Sequence, residues 1–258
     1  MFDAPAEAYD RYVGRYGREL ARALIATAGV RDGMRALDVG CGPGALATEL
    51  AALLGAESVV AADPSQSFAS ACAERLPGVR VSVASAEALP FPDGSFDAVL
   101  AQLVVNFMTD APAGVREMRR VTRPGGTVAA AVWDYAGEMT LLRAFWDTAA
   151  ALDPAAAAFD EGRSMGYTRP RRLERLWSAA GLHSVRVSPV VVSADYSSFD
   201  DLWDPLLAGI GPAGAYAVSL PAAGRESLRN GLRARLGVGS EQPFTLSARA
   251  WVVVGAVP

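Results

Sequence analysis

The sequence predicts an α/β protein in which a parallel β-sheet is covered by helices on both faces. The first observation is that short apolar runs alternate with segments of helical spacing between residues 35 and 132. The second is that these runs are almost continuously apolar, as expected for strands buried on both faces. The third is a glycine cluster where the first run ends, at a turn from strand into helix. Strands and helices that alternate at this pitch form right-handed βαβ units and therefore a parallel sheet.

The elements of the first half follow from the apolar pattern. Tyr9, Tyr12, Tyr16, Leu20 and Leu24 recur at three- and four-residue steps, which predicts one face of an opening helix. Later in this half, a tight turn formed by Arg, Pro and two glycines is expected to lead into the fifth strand. The predicted strands are residues 35–39, 59–62, 79–83, 96–101 and 127–132, the predicted helices are residues 45–54, 66–75 and 113–121, and the turn is residues 123–126.

The second half contains a long irregular segment, residues 193–242, which is rich in glycine, proline and aromatic residues. A connection of about fifty residues between two strands is longer than a plain loop needs, so we predict a lid or substrate-binding element. Residues 209–212 are expected to act as its hinge. Its apolar inner face is expected to consist of Phe199, Trp203, Leu206, Leu207 and Tyr216. Around this segment, helices are predicted at residues 141–152 and 171–180, and strands at residues 185–192 and 244–254.

The length of 258 residues favours one large domain over two complete ones. We therefore expect a single domain over residues 1–258. Within it, residues 1–30 are a helical cover, residues 31–135 are the cofactor-binding core, and residues 193–242 are the helical lid inserted between the last two strands.

The composition excludes several kinds of function. All 24 basic residues are arginines; without a lysine there is no Schiff base, no pyridoxal phosphate attachment and no Walker-type phosphate loop. The net charge of −4 argues against a nucleic-acid partner, which requires a basic face. Cys41, Cys72 and the single His183 lack the spacing of a zinc site, so no metal is expected. An acidic start and the lack of a long apolar stretch predict a cytoplasmic protein without a membrane span.

The glycine cluster is the most informative stretch for function. Gly40, Gly42 and Gly44 lie where the first strand turns into the first helix of the core. Glycines there let a ligand approach the backbone closely, and the helix N-terminus offers free N–H groups to an anion. Asp63 ends the next strand, nineteen positions after Gly44. Its carboxylate can either accept hydrogen bonds from ribose hydroxyls or cap the following helix, and the glycine cluster favours ribose.

Four motifs in order resemble the class I S-adenosylmethionine-dependent methyltransferases, and most of all the small-molecule branch that includes the ubiquinone and menaquinone biosynthesis enzymes. The resemblance is strong from residue 9 to about residue 135, weak over the last two strands, and absent from the lid. It implies a Rossmann-like, doubly wound sheet of seven strands, mostly parallel, with the last strand antiparallel. The motifs are Asp38-x-Gly40-x-Gly42-x-Gly44, then Asp63, then Ser85 to Asp97 (SAEALPFPDGSFD), and then Arg123-Pro124-Gly125-Gly126.

The resemblance also implies S-adenosyl-L-methionine as the cofactor and assigns roles to residues. The glycine loop would hold the methionine portion, and Asp38 would support the loop and the amino group. Asp63 would accept from the ribose, with the two residues after it beside the adenine. Ala86 would meet the adenine edge through its backbone N–H, and Gln102 would lie beside the methionine portion and the sulfonium. The implied cofactor-binding set is Tyr16, Asp38, Gly40, Gly42, Gly44, Asp63, Pro64, Ser65, Ser85, Ala86, Glu87 and Gln102.

Two positions depart from the pattern of the family. Ser85 stands where many relatives have an aspartate that accepts from the adenine amine, so only a hydroxyl or a water can do so here. Asn106 stands where many relatives have a histidine, which removes an obvious general base. His183 lies before a late strand, and we expect it on the solvated rim of the sheet.

The implied reaction is methyl transfer to a small apolar or aromatic metabolite by in-line displacement. Its leaving group is already activated, so catalysis would rest mainly on proximity and on exclusion of water. The sequence does not identify the catalytic residue; the weak candidates are Asn106, Tyr16 and Asp134. Tyr12 and Trp133 are further candidates for the mouth of the cofactor site. Ordinary core packing explains the tyrosines equally well, and a salt bridge or helix cap explains Asp134 equally well.

Two other functions remain open at this point. Gly40-x-Gly42-x-x-Ala45 also fits the dinucleotide fingerprint of an NAD-dependent oxidoreductase, although Pro43 within the loop and the lack of a lysine proton relay argue against it. A cofactor-binding protein without transfer activity is the other alternative. The sequence leaves open whether oxygen, nitrogen or carbon accepts the methyl group, and it leaves open the oligomeric state.

Overall fold

Seven strands form one sheet in the protein, whose computed structural model describes residues 10–258. Along this sheet the strands follow the order β3-β2-β1-β4-β5-β7-β6. Neighbouring strands are parallel from β3 to β5, whereas β7 runs antiparallel to both β5 and β6. The predicted seven-stranded sheet with an antiparallel last strand is therefore confirmed. The strands are β1 Ala36–Val39, β2 Val59–Asp63, β3 Arg80–Val83, β4 Phe96–Gln102, β5 Thr122–Trp133, β6 His183–Tyr196 and β7 Phe244–Ala256.

Ten α-helices connect and cover these strands within the described residues. The helices predicted at residues 45–54 and 66–75 are found with those bounds, because Gly55, with a φ of 84°, ends the first and Pro77 follows shortly after the second. They are α1 Gly17–Ala28, α2 Ala45–Leu54, α3 Gln66–Arg75, α4 Ala111–Val121, α5 Thr140–Leu152, α6 Glu161–Ser164, α7 Pro170–Ala179, α8 Phe199–Leu206, α9 Gly211–Ser219 and α10 Ala222–Leu236. None of the helices formed by residues 10–258 has both the length and the apolar character needed to cross a bilayer.

The opening helix differs from its prediction. The chain forms a short 3-10 turn, Val13–Tyr16, and only then the α-helix α1, which ends at Gly29 in the left-handed conformation. Tyr16 and Leu20 are fully buried, as the apolar spacing predicts. Tyr9 lies outside the described residues.

The fifth strand also differs from its prediction, because the turn at residues 123–126 lies inside β5 rather than before it. Phe96 pairs with Thr122 and Ala98 pairs with Thr127, so four residues of β5 loop out opposite one residue of β4. Gly125 adopts a φ of 73° and its N–H donates to the carbonyl of Val257, which holds this bulge against the end of the chain.

The last two strands are longer than predicted, and the insertion between them is correspondingly shorter. β6 continues to Tyr196, so the insertion covers residues 197–243 and contains α8, α9 and α10. Tyr196 and Phe244 pair at its root, and their rings stack with centroids 5.2 Å apart. The side chains of Phe199 and Leu206 are fully buried in the core. Much of the segment predicted as a lid is therefore packed structure rather than a free flap.

Candidate functional site

A cavity of about 400 Å³ opens at the carboxyl ends of β1, β2, β4 and β5. Ligands of open α/β sheets bind at this edge, where the strand order reverses around the first strand. The structure brings nine of the twelve predicted cofactor residues to its wall: Gly40, Gly42, Asp63, Pro64, Ser65, Ser85, Ala86, Glu87 and Gln102.

The glycine loop after β1 is shaped by close contacts. Gly40 has a φ of 72°, and a Cβ at this position would lie 2.4 Å from the Val104 side chain. The N–H groups of Gly40 and Cys41 both donate to the carbonyl of Ala62, at 2.7 and 3.0 Å, which fixes the loop to β2. No larger residue fits at Gly40 without displacing the loop from the cavity wall.

Gly44 is one of the predicted cofactor residues that lie outside the cavity wall. It has a φ of 98°, precedes the first residue of α2 and packs against Cys72. It does not line the cavity, because the chain has already turned into the helix at this point. Gly44 therefore supports the turn from β1 into α2, outside the wall of the cavity.

Asp63 braces the loop and also faces the cavity. Its Oδ2 accepts from the Gly42 N–H and its Oδ1 accepts from the Ser65 N–H, both at 2.8 Å. Burial raises the pKa of Asp63, and these two hydrogen bonds partly offset the increase. A carboxylate oxygen can accept two hydrogen bonds, so each oxygen retains capacity for a ligand hydroxyl. The helix α3 that follows is capped by the Ser65 side chain rather than by Asp63.

Asp38 and Gln102 flank a second, smaller cavity of about 40 Å³ that shares Gly40, Gly42 and Gln102 with the first. The Asp38 carboxylate is fully buried, and among the described residues neither of its oxygens has a hydrogen-bond partner of regular geometry. Gln102 donates through Nε2 to the Gly17 carbonyl at 3.0 Å, but its Oε1 is buried with no partner within residues 10–258. Buried unpaired acceptors are costly, so this small cavity is complementary to a cationic group that carries several N–H donors.

Burial and the neighbouring Cys72 raise the pKa of Asp38 well above its ordinary value. A weak interaction with the Ala47 backbone N–H offsets only part of this increase. A bound cation would restore the ionised form, because an opposite charge favours it.

At the other end of the cavity, Ser85, Ala86 and Glu87 form a loop between β3 and β4. The Glu87 carboxylate accepts from the Asp110 N–H at 3.1 Å, so it also fixes the start of α4. These are the three residues that the resemblance assigns to the adenine edge, and all three line the cavity.

None of the three predicted catalytic candidates lines the cavity. Tyr16 is fully buried, with its hydroxyl 3.1 Å from that of Tyr196. Asp134 forms an ion pair with Arg249 at 2.6 Å, and Asn106 accepts from the Tyr167 N–H at 2.9 Å. Each is held in a structural contact that sequence spacing could not reveal.

The other two candidates and the rim histidine agree with their predicted positions. Tyr12 and Trp133 both line the cavity, and the Tyr12 hydroxyl and the Trp133 Nε1 are buried with no partner among the residues that the structure describes. His183 is exposed at the first residue of β6.

Sequence reasoning missed Glu161, which lines the cavity and is only 4% exposed. The Trp146 Nε1–H donates to its carboxylate. Burial raises the pKa of Glu161 to about 7. Its neighbours Asp160 and Gly162 are typical of a helix start at the surface, so no sequence signal placed it in a cavity.

The charged groups of the cavity wall are all acidic. Among the described lining residues they are Asp63, Glu87 and Glu161, and no arginine or histidine joins them. Residues 10–258 also contain no group of three or more His, Cys, Asp or Glu side chains arranged to hold a metal ion.

Residues 37–130 match the methyltransferase domain family. The chain is 38% identical over 135 residues to a demethylmenaquinone methyltransferase of Beutenbergia cavernae, an alignment that covers 51% of this chain and 55% of the relative. It is 40% identical over 116 residues to a ubiquinone/menaquinone biosynthesis C-methyltransferase of Stenotrophomonas maltophilia, covering 42% of this chain and 46% of the relative. The chain thus spans about half the length of the curated relatives it matches.

Among solved structures, one from Anaeromyxobacter dehalogenans described as a candidate type II methyltransferase is 26% identical. It superposes with a TM-score of 0.65 and covers 94% of this chain and 97% of its own. This likeness extends beyond the matched domain into the second half of the chain.

Proposed function

Because this chain carries a class I S-adenosylmethionine-dependent methyltransferase domain, we propose that it transfers a methyl group from S-adenosyl-L-methionine to a small uncharged acceptor. The observation that carries the proposal is the pair of unpartnered acceptors, Asp38 and Gln102, beside the glycine loop. They fit the amino group of the methionine portion, which is a cation with three N–H donors. An oxidoreductase cofactor has no such group to place there.

The rest of the cofactor fits the larger cavity. Asp63 has spare lone pairs for the ribose hydroxyls, and Ser85, Ala86 and Glu87 border the adenine end. When bound, the cofactor supplies a methyl group on a positively charged sulfur, which is already an activated leaving group. The acidic character of the wall is favourable for a sulfonium cation.

The acceptor end of the cavity is apolar and aromatic. Leu142, Trp133 and Phe107 contribute to the wall, and Ile210 and Pro212 of the insertion complete it. These side chains hold an acceptor in place and exclude water, the two effects on which this transfer depends. We therefore assign residues 197–243 to acceptor binding, although only the segment between α8 and α9 and the start of α9 borders the cavity.

The acidic wall also disfavours a nucleic-acid substrate, whose phosphates require basic contacts. Cys41 and Cys72 are free thiols, which suits a reducing compartment such as the cytoplasm.

Calorimetric titration of the protein with S-adenosylhomocysteine and, separately, with NAD tests this proposal. We expect binding of S-adenosylhomocysteine and none of NAD; the opposite result would favour an oxidoreductase. Incubation with S-adenosylmethionine and a panel of neutral aromatic acceptors, followed by mass spectrometry, should show a product heavier by one methylene. Cofactor binding without any such product would favour the alternative of a binding protein without transfer activity.

A further inference from the structure

Glu161 lies in the cavity wall together with Tyr12, Trp133 and Tyr135, and it is not one of the residues assigned to the adenosine. The proposed binding mode of the cofactor gives it no role. A carboxyl group that is almost fully buried in an aromatic wall is costly to ionise, so its presence needs an explanation.

The backbone around Glu161 is rigidly held. Asp160 caps the short helix α6 by accepting from the Gly162 N–H at 2.9 Å. Arg143 donates two hydrogen bonds, of 3.2 and 2.8 Å, to the Asp160 carboxylate. A Cβ at Gly162 would lie 2.7 Å from the Tyr135 carbonyl oxygen, so the segment packs directly on the chain that follows β5.

This arrangement leaves Glu161 with no basic partner in the part of the chain that the structure describes. Arg143 forms its ion pairs with Asp160 and Asp147, and Arg163 also pairs with Asp160. Trp146 donates to Oε2 of Glu161, which orients the carboxyl group and leaves Oε1 available.

Burial and the groups around Glu161 together set its pKa of about 7, and burial is the largest cause. Burial raises the pKa, the hydrogen bond from Trp146 lowers it, Asp160 raises it and Arg143 lowers it. Tyr12 also lies close enough for the charge of Glu161 to raise the pKa of its phenol. A group that titrates near neutral pH is suited to accept a proton during a reaction.

We propose that Glu161 accepts the proton of a hydroxyl group on an uncharged aromatic acceptor as the methyl group is transferred. This inference rests on the proposed function and specifies the acceptor. The O–H bond breaks and the proton bonds to Glu161. The electron pair left on oxygen forms the new bond to the methyl carbon, while the carbon–sulfur pair leaves with the sulfur. The products are a methyl ether, S-adenosylhomocysteine and a protonated Glu161.

The cavity also fits this acceptor class. Tyr12 and Trp133 line the cavity, and their polar atoms are buried without partners among residues 10–258. Their rings offer stacking surfaces to an aromatic molecule. An anionic acceptor would meet the negative charges of Glu161 and Glu87 with no arginine in the wall to offset them.

Binding of 1-naphthol to the protein saturated with S-adenosylhomocysteine tests the proposal, with tryptophan fluorescence as the readout. Naphthol stays protonated between about pH 5.5 and about pH 8, whereas Glu161 ionises in this range. A hydrogen bond to a charged acceptor is stronger than one to a neutral group, so the affinity should rise about fivefold with pH. Glu161→Gln should remove this rise, and Glu138→Gln, an exposed glutamate paired with Arg249, should retain it.

Two further ligands complete this experiment. The methyl ether 1-methoxynaphthalene lacks the proton, so its affinity should not change with pH. The anion 1-naphthoate should bind at least tenfold more weakly than naphthol at about pH 8. A naphthol profile that is the same in wild type and Glu161→Gln, or naphthoate binding as tight as naphthol, would overturn the proposal.

The stability of the protein without ligands gives an independent readout. The folded-state pKa of Glu161, about 7, lies above the ordinary value of 4.5, so the folded state binds more protons between these values. The contribution of Glu161 to stability is then fully present below about pH 4.5 and is lost as the pH rises through 7. Relative to Glu161→Gln, the unfolding equilibrium constant of the wild type should increase by up to about 300-fold over this range. Parallel stability curves would show that Glu161 is not the titrating group.

These measurements separate the two proposals. In one outcome, S-adenosylhomocysteine binds equally to wild type and Glu161→Gln, and the two proteins also share the same pH dependence of naphthol affinity and of stability. The proposed role of Glu161 is then wrong, and the cofactor assignment stands. If S-adenosylhomocysteine binds to neither protein, the proposed function itself fails.

Discussion

Replacement of Asp38 by leucine should separate ligand binding from stability. Leucine has the branched shape of aspartate, so it fills the same space at the end of β1 without the charge. In the wild type both carboxylate oxygens are buried and have no regular hydrogen-bond partner within residues 10–258, a cost of about 1–3 kcal/mol for an unsatisfied group. The two methyl groups of leucine are larger than the carboxylate oxygens, so overpacking offsets part of the stability gained by removing the unsatisfied group. We expect the free energy of unfolding to be unchanged or higher by about 2 kcal/mol.

The affinity for S-adenosylhomocysteine should change in the opposite direction. The substitution removes a charge-assisted contact to the ligand amino group, worth about 1.5–3 kcal/mol, so the dissociation constant should rise about 10- to 150-fold. Isothermal titration calorimetry measures this constant, and chemical denaturation of the ligand-free protein measures the stability.

The pH dependence of the stability difference has a definite sign. Burial raises the pKa of Asp38 in the folded state, so the wild type loses stability as the pH rises above the ordinary aspartate range. The leucine variant does not titrate there. Its advantage should therefore grow with rising pH and vanish in acid, where the wild-type carboxyl is neutral in both states.

Asp134→Leu is the matched control. Asp134 is also buried, but it pairs with Arg249 and accepts from the Glu138 N–H at 2.9 Å. Its loss should cost about 3 kcal/mol of stability, because an ion pair is broken. It should leave the affinity for S-adenosylhomocysteine within about twofold, since it does not line the cavity. If Asp38→Leu destabilised the protein as strongly as this control and left the affinity unchanged, Asp38 would be a structural residue and our reasoning would be refuted.

Three further substitutions test the map of the site. Asp63→Ala should weaken S-adenosylhomocysteine binding by about 2–4 kcal/mol. It should also lower stability, because the N–H groups of Gly42 and Ser65 lose their acceptor. An unchanged dissociation constant in calorimetry would remove Asp63 from the site. His183→Ala changes an exposed residue on the edge strand, so turnover of any accepted substrate should stay within about threefold, and a hundredfold loss would show that it acts as an acid or base. Ile210→Trp enlarges a side chain of the cavity wall. A fluorescence titration should therefore show naphthol binding about tenfold weaker, with little change in the affinity for S-adenosylhomocysteine. Unchanged naphthol binding would mean that the insertion does not border the acceptor.

The parts of the fold and site that depend on local pattern were predictable from the sequence. The glycine loop and Asp63 could be assigned because a strand-to-helix turn at a sheet edge needs residues of that kind at that spacing. The bounds of α2 and α3 could be assigned because Gly55 directly follows the first and Pro77 lies two residues after the second. In each case the physical cause lies within a few residues of the feature.

The parts that depend on tertiary contact were not predictable in this way. Tyr16 shares the spacing of Tyr12, yet Tyr196, far away in sequence, holds the Tyr16 hydroxyl outside the cavity. Asp134 follows a strand at the right edge, but Arg249 turns it into a structural residue. Glu161 becomes part of the cavity only because α6 packs against the chain after β5.

The position of β7 has a consequence for how the chain folds as it is synthesised. This strand is the last of the seven to leave the ribosome, yet it lies between β5 and β6 rather than at the edge of the sheet. Until it arrives, β5 presents an unpaired edge and β6 has no neighbour within the sheet. Unpaired apolar edges are the surfaces through which nascent chains associate wrongly. Five strands and the cofactor-binding loops can therefore assemble early, whereas β5 and β6 keep unpaired edges for as long as residues 197–243 are being translated.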